Sequence, residues 1–236
     1  MLDRHLELLQ TVAKGFGDLN QKITFVGGAV LNLYITDEAA PEFRPSGDID
    51  CLLNLPALLD HFQWEKMLIE RGFVKHPGVE GPTCRWTYEG IPLTISPIQG
   101  QVELLGYRNI WYEEGLFHSL IYSLPNGNTI RIFHPAYYTA AKVNAFLDRG
   151  QENVRHSEDF QDLVFLVENR PELSEDVAKA FHEVRSYVRS HFRRFLAYPD
   201  LEEGLYYALP IGADYEHVQK IVKLMRKVAA MELTFV

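Results

Sequence analysis

In the first 134 positions, short runs of hydrophobic residues alternate with stretches in which hydrophobic residues recur at helical spacing. Short apolar runs predict strands, and apolar side chains spaced three and four residues apart predict helices between them. The predicted strands are residues 23–26, 49–55, 73–74, 84–88 and 91–95, the last two forming a hairpin around Glu89-Gly90. The predicted helices are residues 2–14, 29–35 and 56–71. Strands that alternate with helices and end in a hairpin indicate a mixed sheet with helices packed on it.

After residue 134 the period becomes helical and stays helical. Apolar residues repeat at helical spacing through residues 137–147, 157–168, 175–196 and 215–231. This change predicts an α+β protein in which a mixed-sheet domain, residues 1–134, is followed by a helical C-terminal domain, residues 135–236. No internal repeat or low-complexity tract interrupts either part.

Composition describes an ordinary globular protein. The 236 residues are 47% hydrophobic and 23% charged, and the net charge of −9 lies entirely in residues 1–173. This charge argues against a general nucleic-acid coat, because neutralising phosphates takes Lys and Arg. Cys51 and Cys84 form no CxxC or Cys/His cluster, so we expect reduced thiols. Without an apolar run of ~18 residues or a signal-peptide core, we expect a cytoplasmic protein with no membrane span.

A glycine pair follows the first predicted strand. Gly27 and Gly28 lead from that strand into a predicted helix, an arrangement that directs backbone N–H groups and a positive helix end toward one point and suits phosphate. About twenty residues later, Asp48 and Asp50 begin the next strand, on one face and about 6 to 7 Å apart. Two such carboxylates can share a hard divalent cation. Each half alone also fits a tight turn or a solvated strand end, so the combination carries the prediction.

The combination resembles the nucleotidyltransferase fold related to DNA polymerase beta, in which a glycine turn holds triphosphate and an Asp-x-Asp holds magnesium. A narrower resemblance, to the AbiEii/AbiGii abortive-infection nucleotidyltransferase toxins, lies in Arg44-Pro45-Ser46-Gly47-Asp48-Ile49-Asp50. It implies that Gly27, Gly28 and Ser46 bind nucleotide. It also implies that Asp48 and Asp50 bind Mg²⁺ or Mn²⁺ and take part in catalysis.

The same family suggests which residue should lie beside the Asp-x-Asp. A third carboxylate is expected in a Val-Asp-Val-x-Pro strand, followed by a Leu-Gly-Phe-x-Asn-x-Trp-Tyr segment. This chain has Leu93-Thr94-Ile95-Ser96-Pro97 and then Leu105-Gly106-Tyr107-Arg108-Asn109-Ile110-Trp111-Tyr112. The second segment fits and sets the register. Thr94 therefore takes the position of the acid that, in polymerases, deprotonates the attacking hydroxyl, which bears on catalysis but not on nucleotide binding.

Two later segments extend the resemblance. Residues 135–145 are similar to the family's Pro-x₃-Ala-x-Lys-x-x-Ala helix, with one more residue here between Pro135 and Ala140. The similarity implies that Lys142 reaches the nucleotide; the alternative is a solvated lysine on an amphipathic helix. Residues 155–163 resemble Arg-x-Ser-Lys-Asp-x-x-Asp-Leu, with Glu158 in place of the lysine. Here the resemblance implies that Asp159, rather than Asp162, activates the acceptor or orients the lysine. Ser157 and Asp159 equally suit a helix cap and a dipole partner.

Basic residues recur at helical spacing near the C-terminus. They are Arg185, Arg189 and Arg193 in one stripe and Lys220, Lys223 and Lys227 in another. Such stripes are either solvated helix faces or, in a chain that is otherwise acidic, a surface for RNA phosphates.

The resemblance spans residues 22–170 and implies transfer of a nucleoside monophosphate from an NTP to an acceptor hydroxyl. The implied acceptor is tRNA, and the implied role is that of a toxin held in check by an antitoxin protein. Two other functions stay open. A degenerate nucleotidyltransferase fold would bind nucleotide or a partner without catalysis, which Thr94 favours. A protein-modifying nucleotidyltransferase would suit the charge of −9 better than an RNA substrate does.

Overall fold

The computed structural model describes residues 4–41, 44, 46–53, 61–76, 85–97, 109–148 and 153–230. The predicted helix start at Pro56, the residue Cys84 and the motif residues 105–108 lie outside this part of the chain. The chain forms two compact units. The first carries the strands with three helices, and the second carries residues 33–41, 109–111 and the chain from Pro135 onward. The predicted division into a sheet domain, 1–134, and a helical domain, 135–236, stays a prediction.

A mixed sheet forms the centre of the first unit. Over the described residues its seven strands are β1 (Ile23–Val26), β2 (Ile49–Leu53), β3 (Val74–Lys75), β4 (Arg85–Tyr88), β5 (Ile91–Pro97), β6 (Ser119–Ser123) and β7 (Thr129–Phe133). Their order is β3-β4-β5-β2-β1-β7-β6. The pairs β2–β5 and β1–β7 are parallel and the other neighbours are antiparallel. Because β1 and β2 lie at the centre, both are apolar and almost wholly buried.

Three α-helices accompany the sheet: α1 (Arg4–Phe16), α2 (His61–Glu70) and α3 (Tyr112–Phe117). The predicted helix at residues 29–35 is a 3₁₀-helix, Gly28–Tyr34. In the core, the ring of Phe73 stacks on Phe16 at 4.7 Å and on Tyr88 at 4.4 Å, measured between ring centroids. These contacts join α1 to the chain before β3 and to β4, so the helices and the sheet share one apolar core.

The second unit is helical. Its helices are α4 (Pro135–Asp148), α5 (Glu158–Asn169), α6 (Leu173–Lys179), α7 (His182–Phe195), α8 (Leu201–Ala208) and α9 (Tyr215–Ala230). Twelve consecutive residues of α4 are buried, so this helix has no solvated face over that length. Phe146 packs against Phe160 of α5 and Phe195 of α7. The mixed sheet and the helices that follow it confirm the predicted α+β class.

The predicted helix at residues 175–196 is wrong as a single element. The backbone leaves the helical conformation at Ala180 (ψ 164°) and Phe181 (ψ 152°), which divides it into α6 and α7. The spacing of Val177, Phe181 and Val184 suggested a continuous apolar stripe, but Phe181 is 62% exposed. Arg185 donates from Nη1 to the carbonyl oxygen of Ala178 at 3.0 Å, which satisfies one of the carbonyls that a helix end leaves without a partner.

The hairpin β6–β7 and the helices α3 and α8 were not predicted from the sequence. The hairpin carries an Asn126-Gly127 turn in which the amide of Gly127 donates to Leu124 at 2.9 Å. Asn-Gly between apolar runs is a strong hairpin signal, so this element was within reach of sequence analysis. The helices α3 and α8 have six and eight residues, too few for their period to be evident.

Candidate active site

The glycine turn and the Asp-x-Asp meet at the end of β1. Val26 pairs with Asp50 in the antiparallel ladder between β1 and β2, which puts Gly27 directly against the Asp50 side chain. A Cβ atom at Gly27 would lie 2.5 Å from Asp50 Oδ2, and the backbone there has φ +75°, so both space and conformation require glycine. Gly28 opens the 3₁₀-helix immediately afterwards. The structure therefore brings the predicted phosphate turn and a predicted metal ligand into contact.

The loop before β2 presents the other aspartate. Asp48 precedes the strand and is exposed, whereas Asp50 lies within the strand and is half-buried. The hydroxyl of Ser46 donates to the backbone carbonyl of Asp48 at 2.9 Å, which closes a tight local turn. Ser46 thus contacts the backbone of the predicted metal ligand Asp48, and its role in nucleotide binding stays a prediction.

Thr94 lies beside Asp50, as the register of the family motif predicted. The parallel ladder between β2 and β5 pairs the two residues, so their side chains share one face at a strand spacing of about 4.8 Å. Thr94 is 8% exposed, and on its other side it pairs with Arg85 of β4, which is exposed. A neutral hydroxyl is therefore the group next to Asp50 on this strand.

The predicted metal ligands at this end of the sheet, Asp48 and Asp50, offer carboxylate oxygens. Within the described part of the chain, no group of three or more His, Cys, Asp or Glu side chains is placed to hold a metal ion. Burial, with the nearby charge of Asp50, raises the pKa of the Cys51 thiol well above its usual range, so it stays protonated and is a poor ligand. Two carboxylates without a closed cage fit Mg²⁺ or Mn²⁺, because Mg²⁺ binds one or two carboxylates and completes its shell with water and phosphate oxygens.

Gly27→Ala is expected to weaken binding of the metal–nucleotide complex at least tenfold, because the new methyl group would displace the Asp50 carboxylate. Gly127→Ala is the matched control: its φ of +84° imposes similar backbone strain, about 1–2 kcal/mol, but a Cβ atom there meets nothing within 4 Å. Calorimetric titration of both variants with a manganese–NTP complex would measure the difference. Equal affinities would contradict the role of this contact.

The other predicted residues form a buried cluster in the second unit. Lys142 of α4 is 7% exposed, and Asp159 and Asp162 of α5 are 3% and 0% exposed. The Lys142 ammonium donates to Asp159 Oδ1 at 3.0 Å and forms an ion pair with Asp162 Oδ2. The solvated-lysine alternative is therefore wrong. Asp162, which the sequence analysis ranked below Asp159, contacts the lysine as well, and the i, i+3 spacing of the two aspartates was the signal for it.

Charge balance explains why this cluster is tolerated. Burial by itself would lower the pKa of Lys142, but the carboxylates of Asp162 and Asp159 raise that pKa well above its usual range. Lys142 therefore stays protonated at neutral pH. Two of the three ammonium protons face carboxylates.

Local sequence places Asp159 at the start of α5. Ser157 is the N-cap residue of that helix, and its hydroxyl accepts from the amide of Phe160 at 3.3 Å. The structure thus confirms that Ser157 caps a helix. Asp159 follows in the first turn, where its side chain meets Lys142 instead of solvent.

The arginine stripe is mostly structural. Arg185 donates to Ala178 at the end of α6, and Arg189 donates from Nε to the carbonyl of Ala229 in the last turn of α9 at 3.0 Å. Arg193 is exposed, as are Lys220, Lys223 and Lys227 of α9. Basic side chains that are open to solvent thus include the lysines of α9 and one arginine of the predicted stripe.

Together, the mixed sheet, the glycine turn against Asp50 and the Asp-x-Asp define a nucleotidyltransferase-type protein. Residues 12–219 match the model of a family described as nucleotidyl transferase AbiEii toxin of type IV toxin–antitoxin systems. The match covers most of the chain, and the protein belongs to this family, which confirms the resemblance seen in the sequence. A search of curated proteins gave no match. None of the helices in the described part of the chain combines the length and apolar character that crossing a membrane requires.

Proposed function

We propose that the protein transfers a nucleoside monophosphate from an NTP to an acceptor hydroxyl, with Mg²⁺ or Mn²⁺ held by Asp48 and Asp50. The observation that carries this proposal is the contact between the glycine turn and Asp50, because it places a backbone suited to phosphate against a ligand suited to the metal. When bound, the metal would neutralise charge on the triphosphate and on the transition state.

The reaction needs few groups from the protein. The acceptor oxygen forms a bond to the α-phosphorus, the bond from that phosphorus to the bridging oxygen breaks, and pyrophosphate leaves. Gly27 and Gly28 would bind phosphate through the backbone, and the Ser46 turn would hold Asp48 in place. The hydroxyl proton needs an acceptor, and Thr94 has no basicity at neutral pH. Solvent or a base other than Thr94 would have to take it.

The Lys142 cluster supports an orienting role for Asp159. A lysine already paired with two carboxylates has one ammonium proton left for a phosphate oxygen. Asp159 and Asp162 would hold the ammonium in one orientation and keep it charged, and a phosphate contact would use the third donor. This arrangement favours lysine orientation over acceptor activation as the role of Asp159.

For the acceptor we propose tRNA, with an antitoxin protein as the regulatory partner. Membership of a toxin–antitoxin family supports the antitoxin. Exposed Arg193, Lys223 and Lys227 supply positive charge in a chain of net charge −9, which an RNA acceptor requires somewhere on the surface. An acceptor protein is the alternative that the net charge favours.

Incubation with each α-³²P-labelled NTP, Mg²⁺ or Mn²⁺, and total cell RNA or total cell protein would test the proposal. We expect label on small RNA that depends on the metal and is lost in Asp50→Asn, because the metal loses a charged ligand. Asp18→Asn is the matched control, since Asp18 is an exposed aspartate of the same unit paired with Arg71. Label on protein would replace the RNA acceptor, and label that survives Asp50→Asn would overturn the metal site.

The second candidate is a fold that binds the nucleotide but transfers nothing. The pairing of Thr94 with Asp50 favours it, because the usual third carboxylate is absent from that strand. Calorimetry separates the two: a binder without activity would take up Mg·NTP with Asp50-dependent affinity and give no labelled product with any acceptor.

A further inference from the structure

A buried histidine lies on the core face of α1. His5 is 4% exposed and continues the face formed by Leu9, Val12 and Phe16. A leucine would suit this position by burial alone, because an imidazole brings two polar nitrogens that need partners when water is excluded. The hydrogen-bond partners of the two ring nitrogens therefore indicate the role of this histidine.

Both ring nitrogens of His5 have partners in the first unit. The backbone amide of Ser46 donates to Nε2 at 2.8 Å, and the amide nitrogen Nδ2 of Asn32 lies 3.2 Å from Nδ1. A neutral ring that accepts at Nε2 carries its proton on Nδ1, so we assign the Asn32 amide in the opposite orientation, with its oxygen accepting that proton. The contacts join three segments that are distant in sequence: α1, the 3₁₀-helix after the glycine turn and the loop before β2.

These contacts continue directly into the metal site. Ser46 gives its amide proton to His5 and its hydroxyl proton to the carbonyl of Asp48. Asn32 belongs to the 3₁₀-helix that Gly28 opens. One hydrogen-bonded series therefore runs from the helix after the glycine turn, through His5, to the backbone of the first aspartate.

We propose that His5 is a positioning residue that fixes the Ser46–Asp48 loop in the geometry that binds the metal–nucleotide complex. This inference rests on the proposed function for its ligand, but the contacts on which it depends belong to the protein alone. An acceptor at Nε2 keeps the Ser46 amide in place, and Ser46 in turn holds the exposed Asp48. Partners of this kind typically contribute 10- to 100-fold to metal affinity.

Three variants distinguish the role of His5 in positioning from its role in packing. His5→Gln places an amide oxygen near the position of Nε2 and should keep the Ser46 bond. His5→Asn reaches only the position of Nδ1, so it keeps the contact to Asn32 and loses Ser46. His5→Leu fills the space without any acceptor. All three variants remove the ring. If His5 serves only in packing, all three should be less stable, but His5→Gln should not differ from His5→Asn and His5→Leu in hydrogen exchange at Ser46 or in nucleotide affinity.

Two measurements separate failure of this inference from failure of the proposed function. Hydrogen exchange of a peptide carrying Ser46, in the protein without ligands, should be about tenfold faster in His5→Asn and His5→Leu and near wild type in His5→Gln. Manganese–NTP affinity should fall about tenfold in His5→Asn and His5→Leu and be retained in His5→Gln. Thermal melting of each variant shows that it is folded.

The results have distinct consequences. Unchanged exchange in folded His5→Leu would overturn the inference whatever the nucleotide does. Faster exchange with unchanged nucleotide affinity would overturn it as well, because the loop would then not matter for binding. A wild type that binds no metal–nucleotide complex would overturn the proposed function. Equal losses of nucleotide affinity in His5→Gln, His5→Asn and His5→Leu would overturn the inference and show that His5 serves only in packing.

Discussion

Replacing Lys142 with methionine is expected to destabilise the protein by about 3–5 kcal/mol, because Asp159 and Asp162 would keep their burial and lose their cation. Methionine is similar in length and fills the same space, so the loss reports mainly on charge. The cluster has little access to water to offset the change, with exposures of 3% and 0% at the two aspartates. Urea unfolding followed by circular dichroism would measure the effect.

Two control variants show where the cost comes from. Lys179→Met removes an exposed i, i+4 pair with Glu175, whose side chains are 76% and 68% exposed, and should cost less than about 1 kcal/mol. The triple variant Lys142→Met, Asp159→Asn, Asp162→Asn removes every charge and should regain most of the stability. A loss below about 1 kcal/mol in Lys142→Met alone would contradict the buried, ionised cluster.

The pH dependence of this effect has a definite sign. The pKa of Lys142 is raised in the folded protein, so its contribution is complete below the ordinary lysine pKa and is lost as alkaline pH passes the raised value. The wild type should therefore keep the contribution of Lys142 between about pH 7 and pH 9 and lose it only at higher pH, which urea unfolding at each pH would measure.

Replacing Thr94 with aspartate is expected to raise the rate of nucleotidyl transfer by about 10²–10⁴, the usual contribution of a general base. The wild type, in this view, binds Mg·NTP and transfers slowly or not at all. The new carboxylate would lie beside Asp50 and also beside Arg85, whose charge offsets part of the repulsion. Nucleotide affinity should change little, because Asp48 and Asp50 hold the metal without it.

Thr94→Asn is the matched control, since its side chain has the same size as aspartate and no basicity. Single-turnover transfer with each variant, together with melting temperatures measured with Mg²⁺ present, would give the comparison. Brisk turnover by the wild type would show that transfer does not need a carboxylate at position 94. Inert wild type and inert, folded Thr94→Asp, both binding nucleotide, would favour the second candidate function.

Short-range patterns predicted the strands of the sheet part of the site. The strand that ends just before Gly27 and the strand that contains Asp50 both follow from periodicity, and the hairpin brings Thr94 into register because side chains alternate along a strand with a strict period of two. The family motif supplied the alignment. The structure confirms that Thr94 lies beside Asp50, whereas the pairing of Val26 with Asp50 is known only from the structure.

Charged residues in the helical part were harder to interpret from sequence. The same helical spacing fits Lys142, which is buried with two aspartates, and Lys223, which is exposed. It also fits Arg189, whose guanidinium caps a helix 40 positions away in sequence. Whether a helix face meets solvent or another helix depends on packing partners that are remote in the chain.

The sequence by itself determined the α+β class, the family, and the glycine turn with its Asp-x-Asp, because each depends on residues close together in the chain or in one ladder. Tertiary structure alone decided the division of α6 from α7, the burial of Lys142 with Asp162 as well as Asp159, and the contact of His5 with Ser46 across 41 residues. The physical reason is desolvation: hydrogen bonds and charges gain or lose their importance when other segments exclude water from them, and those segments are brought together only by folding.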